Sequence, residues 1–136
     1  MTISEFIANN DVDFTFNRIK QEEIPRYEVV FGTKIGPQLQ TYIVDYGYLG
    51  YEYIEFFGIN TVQGEASDMV KRTLFLHKQF PKTQGLIAFE DQGDGDYYLV
   101  DSEDRVYNFL DGNNEIVDTG LTLNEYILKR FESVQL

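Results

Sequence analysis

The chain has 136 residues, enough for one domain with its own core. Its 23 acidic residues against 11 basic ones give a net charge of −12, which speaks against nucleic-acid binding and against adsorption to an anionic membrane. It has no cysteine, so disulfides, thiol nucleophiles and thiolate metal sites are excluded, and MTISEFIANNDVDF at its start lacks the basic and long apolar segments of a secretory signal. A cytoplasmic location is the expectation.

In chain order, Thr2 to Asn10 reads as a short helix, with Ile3, Phe6 and Ile7 on one face and Thr2 and Glu5 forming a capping box. Lys20 to Phe31 reads as a second helix with Ile24, Tyr27, Val30 and Phe31 inward. Pro25 must lie in its first turn, and Gly32 stops it. Pro37 opens a third helix that runs to Tyr46 and ends at Gly47. Tyr51 to Gly58 alternates like a strand. Ser67 and Asp68 cap a helix to about Phe80, with Met69, Val70, Thr73, Leu74 and His77 inward, and Pro81 ends it.

The second half is a run of strands. Leu86–Phe89 leads into the acidic turn around Gly93 and Gly95 and out into Tyr97–Val100. Arg105–Leu110 and Glu115–Asp118 follow, separated by Asp111-Gly112-Asn113-Asn114. Thr122 and Glu125 make a second capping box, and Leu123, Tyr126, Ile127, Arg130, Phe131 and Val134 keep helical spacing to the end. Strands joined by short turns, flanked by helices, predict an α+β fold over residues 1–136. It is a single domain with one mainly antiparallel sheet of about five or six strands and helices packed on it.

Several segments together resemble the SUKH superfamily. Ile35, Tyr42, Ile43, Tyr46 and Gly47 fit its early helix, with the proline displaced to Pro37 and Leu39 in place of an aromatic. Gly85–Glu90, Gly93-Asp94-Gly95-Asp96-Tyr97-Tyr98 and Asp101 resemble its central hairpin. Val106-Tyr107 look like its next strand, and Thr122 to Ile127 like its closing helix. The resemblance runs from about Glu22 onward. It implies a domain that acts by binding, either as a bacterial immunity protein that neutralises a toxin or as a regulatory interaction module related to fungal cell-wall regulators, and not as an enzyme.

The residues themselves offer little catalytic chemistry. Asp91, Asp94 and Asp111 each fail the register of a calcium-binding loop. His77, the only histidine, has no sequence-adjacent partner that would make it a base. A hydrolase using Glu90 and Asp96 is a third and weaker reading. No metal or cofactor is expected. The expected partner is a cognate toxin, often a nuclease in such systems, with a basic face that meets Asp91, Asp94, Asp96, Glu103 and Asp104 at the hairpin ends.

Overall fold

The computed structural model describes residues 1–15, 19–59 and 67–135. Its helices begin where the chain supplies acceptors for their first N–H groups. Thr2 caps α1 (Ile3–Asn9) and Thr122 caps α5 (Leu123–Glu132), each through the complete capping box read from the sequence. The Asp68 carboxylate accepts from Lys71 N at the start of α4 (Met69–Gln79). α2 (Ile24–Phe31) follows a 3-10 turn at Gln21–Glu23, holds Pro25 in its first turn and ends at Gly32 in the left-handed region.

The third expected helix is present in span but not in regularity. α3 covers Pro37–Thr41, and Tyr42–Tyr46 form a wider π turn closed by Gly47 N donating to Tyr42 O at 2.9 Å. Gly47 has φ 72°, and a Cβ there would lie 1.9 Å from the Thr15 carbonyl. Glycine is required by that approach as well as by the turn.

The strands form two antiparallel sheets rather than one. β1 (Asp13–Phe14), β2 (Leu49–Tyr51) and β3 (Ile54–Phe56) make a three-stranded sheet in that order. β4 (Ile87–Asp91), β5 (Asp96–Val100), β6 (Arg105–Leu110) and β7 (Glu115–Thr122) make a four-stranded meander, the consecutive hairpins expected from the short turns. The expected Tyr51–Gly58 strand is instead broken at its start. Tyr51 pairs directly with Ile54 across a two-residue turn in which Glu52 takes φ 55°. The aromatic and acidic alternation continues through this turn, so periodicity hid it. The two sheets meet where Phe57 N donates to Phe89 O at 2.8 Å.

α5 packs on one face of the meander, with the Tyr126 ring 4.7 Å from that of Tyr98. α4 packs on the other, where Thr73 Oγ1 accepts from Ala88 N at 2.9 Å, and Phe80, just beyond its end, meets Phe109 edge-on at 5.0 Å. The inward stripe of α4 is Met69, Thr73 and Leu76; Leu74 is exposed, as is Val30 on α2, contrary to the sequence reading. Among the described residues no helix is long and apolar enough to cross a membrane.

At the junction of both sheets and the terminal helices lies an aromatic cluster. Phe56 stacks on Phe89 at 4.7 Å and on Phe131 at 5.2 Å, and Phe131 in turn contacts Phe6 and Tyr51. These rings tie α1, β2, β3, β4 and α5 together, and Phe131 is fully enclosed. Phe131→Ala is therefore expected to cost about 3–5 kcal/mol of unfolding free energy, read from urea denaturation. An unchanged midpoint would show that the ring is not part of a closely packed core.

Candidate protein-interaction site

The five acids expected at the hairpin ends do not share one surface. β5 runs from Asp96 to Val100, so Asp91, Asp94 and Asp96 lie at the end where it begins, and Glu103 and Asp104 lie beyond the end where it stops. Five residues of strand separate the two groups by about 16 Å. Asp91 and Asp94 close the first turn by accepting from Gly93 N and Asp96 N. The β6–β7 connection returns to the same end, and a Cβ on Gly95 would stand 3.3 Å from Asp111 Oδ2. Asp91, Asp94, Asp96, Asp111 and Glu115 thus form one acidic end of the meander.

Asp104 is not a surface residue at all. It is 4% exposed, and its two carboxylate oxygens accept from Gln38 N at 2.8 Å and Leu39 N at 3.0 Å. The position before α3 is Gly36, which has no side chain to cap with, so the acceptor comes from 66 residues away in the chain. The fit is close: a Cβ on Gly36 would fall 2.5 Å from Asp104 Oδ1. Asp104 O also accepts from Leu123 N at 2.8 Å, beginning α5. Its carboxylate is committed inside the protein and is withdrawn from the set of partner-facing acids. Glu103 beside it is exposed.

Glu90 is the acid that sequence reasoning placed least well. Ala88 pairs with Leu99 and Glu90 with Tyr98, so Phe89 is an extra residue in β4. Regular alternation would have set Glu90 opposite Tyr97, on the α4 face; the bulge turns it to the α5 face. There it is 2% exposed and takes three hydrogen bonds from Arg130, at 2.9 to 3.2 Å, and one from the Tyr126 hydroxyl. Burial by itself would lower the Arg130 guanidinium, but the hydrogen bonds and charge of Glu90 outweigh it and hold it above its ordinary value. Burial first, and then the charge of Glu90, push the Tyr126 hydroxyl well up, so it remains a donor at any physiological pH. With both oxygens held, Glu90 is a structural anchor, and the pairing with Asp96 weighed for hydrolysis has no free carboxylate on its side. His77 is likewise occupied: its Nε2–H donates to Leu86 O at 2.7 Å. Among the described residues no group of three His, Asp or Glu side chains is placed to hold a metal ion.

Register identifies a surface that motif reading missed. Glu90, Tyr98, Asn108 and Val117 pair in sequence across the meander and therefore share the α5 face. Asp96, Leu110 and Glu115 form the next row on that face. Helix α5 covers only the first part of it. Exposure rises along the row, from buried Glu90 through half-buried Tyr98 and Asn108 to Val117 at 43%. A groove of about 310 Å³ separates α5 from the sheet, lined by Tyr98, Thr119, Leu121, Tyr126, Lys129 and Arg130. Asn108 Oδ1 is the buried side-chain polar atom left without a partner among the described residues. On the other side of Arg130, the ring of Tyr53 is 75% exposed, with the guanidinium carbon 5.8 Å from its centroid.

A family model described as SMI1-KNR4 cell-wall (SUKH_5) matches residues 2–132, and the chain belongs to that family. The match extends the likeness seen from Glu22 onward back to the first helix. No curated protein matches the chain. Membership supports a protein-interaction role.

Two substitutions separate structural acids from surface ones. Asp104→Ala should lower stability by about 2 kcal/mol, because two N–H groups of α3 lose their acceptor. Asp94→Asn, at an exposed turn, should stay within about 0.5 kcal/mol of the parent. Equal losses in urea titrations of the two variants would contradict this division. Arg130→Met, which strands the Glu90 carboxylate, should cost about 3 kcal/mol in the same measurement.

Proposed function

We propose that this protein is an immunity protein that binds a cognate polymorphic toxin in the cytoplasm and neutralises it by covering its working surface. The observation that carries the reading is the family match over residues 2–132. The net charge of −12 and the gathering of Asp91, Asp94, Asp96, Asp111 and Glu115 at one end of the meander support a mechanism. A nuclease toxin must present a cationic surface to its phosphate substrate. An acidic protein meets that surface by electrostatic steering and occludes it without any chemical step. The reading asks no catalytic group of the protein, in keeping with the internal engagement of Glu90, Asp104 and His77.

The test is to co-express the product of the neighbouring open reading frame with and without this protein. Growth arrest relieved by the protein, together with a one-to-one complex of the purified chains, is the expected result. A complex without any toxicity would instead favour the regulatory module. Absence of both toxicity and complex would remove the reading for that pair.

The steering acids make a kinetic prediction. Asp91→Asn combined with Asp94→Asn should slow association several-fold at low salt and flatten its salt dependence, with a smaller effect on dissociation. Stopped-flow association rates at about 0.02 and 0.15 M salt check this. A rate and salt slope equal to the parent's would show that these two acids take no part in encounter.

A further inference from the structure

We propose that the partner docks on the open half of the α5 face of the meander, with Tyr98, Leu110 and Val117 as the apolar floor and Asp96 and Glu115 as the acidic rim. This rests on the reading above that the partner is a basic protein, and it says where that protein lands.

The register places these side chains together. Tyr98, Asn108 and Val117 form one cross-strand row, and Asp96, Leu110 and Glu115 the adjacent one. The opposite face at the same level carries Tyr97 and Phe109, which are buried beneath α4 and the segment that follows it. The sheet is therefore covered on one side and only partly covered on the other, where α5 reaches Tyr98 and leaves Val117 exposed. An antiparallel sheet commonly leaves one face to water, but then that face is polar. Here it offers an aromatic ring, a leucine and a valine 43% exposed, around an asparagine whose oxygen has no hydrogen-bond partner. Three strands at about 4.8 Å spacing and two rows of side chains make a patch about 10 Å by 7 Å. That is room for a small apolar anchor at the centre of an interface, and the groove beside α5 continues it.

Charge decides which occupant fits. Asp96 and Glu115 border the floor directly, and Asp94 and Asp111 lie at the turns just beyond them. Of the cations about this face, Arg130 is paired with Glu90, which leaves Lys129 along the groove and Lys82, whose Nζ donates to Asn114 O at 2.7 Å, against Asp94, Asp96, Asp111 and Glu115. A second copy of this chain would bring the same acidic rim against itself, and at −12 per chain that contact is repelled. A basic protein with an apolar centre meets both features: its cations face the rim and its apolar side chains the floor. The end of the meander that holds Glu103 has a smaller cavity, lined by Glu103, Arg105, Leu121 and Thr122, where Arg105 would oppose a basic partner.

The experiment uses charge-matched variants. Val117→Asn with Glu115→Lys alters floor and rim at exposed positions. Glu103→Lys carries the same charge change as Glu115→Lys, but at the far end, well beyond the screening length of about 8 Å at physiological salt. The first probe is egg-white lysozyme, used only as a small basic protein, titrated into isotopically labelled protein and followed by amide chemical shifts. Shifts centred on Asp96, Tyr98, Leu110, Glu115 and Val117, with binding weakened at least tenfold by the double variant and less than twofold by Glu103→Lys, are expected. Shifts centred elsewhere, or equal effects of the two variants with melting temperatures unchanged, would overturn the proposal. The second probe is the product of the neighbouring reading frame, tested with the same variants. If it fails to bind the parent protein while lysozyme maps to the face, the immunity reading falls for that pair and the docking surface stands. If it binds the parent and the double variant alike, the docking surface falls and the immunity reading stands.

Discussion

One extra residue in β4 sets much of what surrounds it. The bulge at Phe89 shifts the register by one, and three consequences meet at that point. Glu90 moves to the α5 face, where Arg130 and Tyr126 hold it. The Phe89 carbonyl becomes the acceptor for Phe57 N, which is the hydrogen bond joining the two sheets. The Phe89 ring enters the aromatic cluster against Phe56 and Tyr42. Without the bulge, Phe89 would oppose Tyr98 beneath α5 and Glu90 would oppose Tyr97 on the α4 face, away from Arg130 and Tyr126. The energetics follow from burial. An isolated carboxylate there would be costly, whereas one with a bidentate guanidinium and a hydroxyl is accommodated.

A second long-range contact works by the same logic at the other end of the meander. α3 begins at a glycine and a proline, neither of which provides a cap, so its N–H groups need an acceptor from elsewhere. Asp104 supplies it from the β5–β6 turn, in a left-handed conformation that aspartate tolerates better than most residues. Its carbonyl starts α5 as well, and Gln38 Oε1 accepts from Asn124 N close by. The turn, α3 and α5 are thus locked into one unit. Both devices spend acidic residues on the fold and withdraw Glu90 and Asp104 from the surface.

The placement of the acids at the turn end of the meander bears on how the protein acts. Charge spread evenly over a surface keeps a protein soluble and gives little orientation to an encounter. Charge gathered at one end, beside a face that α5 covers only in part, orients it. The Glu90–Arg130 pair sits between this face and the exposed ring of Tyr53, and it contributes rigidity rather than net charge. A binding protein of this kind needs a preformed surface more than a reactive group.

Local chemistry was legible in the sequence wherever it was contained within a few residues. The capping boxes at Thr2 and Thr122, the glycine stops at Gly32 and Gly47, the proline at the start of α3 and the succession of hairpins from β4 to β7 are short-range decisions, made by side chains competing for neighbouring backbone groups. The α+β class follows from their order. What the tertiary structure decided was the fate of residues whose partners lie far along the chain. Asp94 and Asp104 look alike in sequence, each an acid in a turn between strands. One faces water and the other is buried, because an uncapped helix 66 residues away needed an acceptor. Glu90 and Glu103 differ in the same way, through a bulge that leaves no mark on the hydrophobic alternation. The division of the strands into two sheets turned on a two-residue turn at Glu52 and Tyr53 that the aromatic pattern passes straight through. Sequence sets which groups must be satisfied, and only the folded arrangement determines which distant group satisfies them.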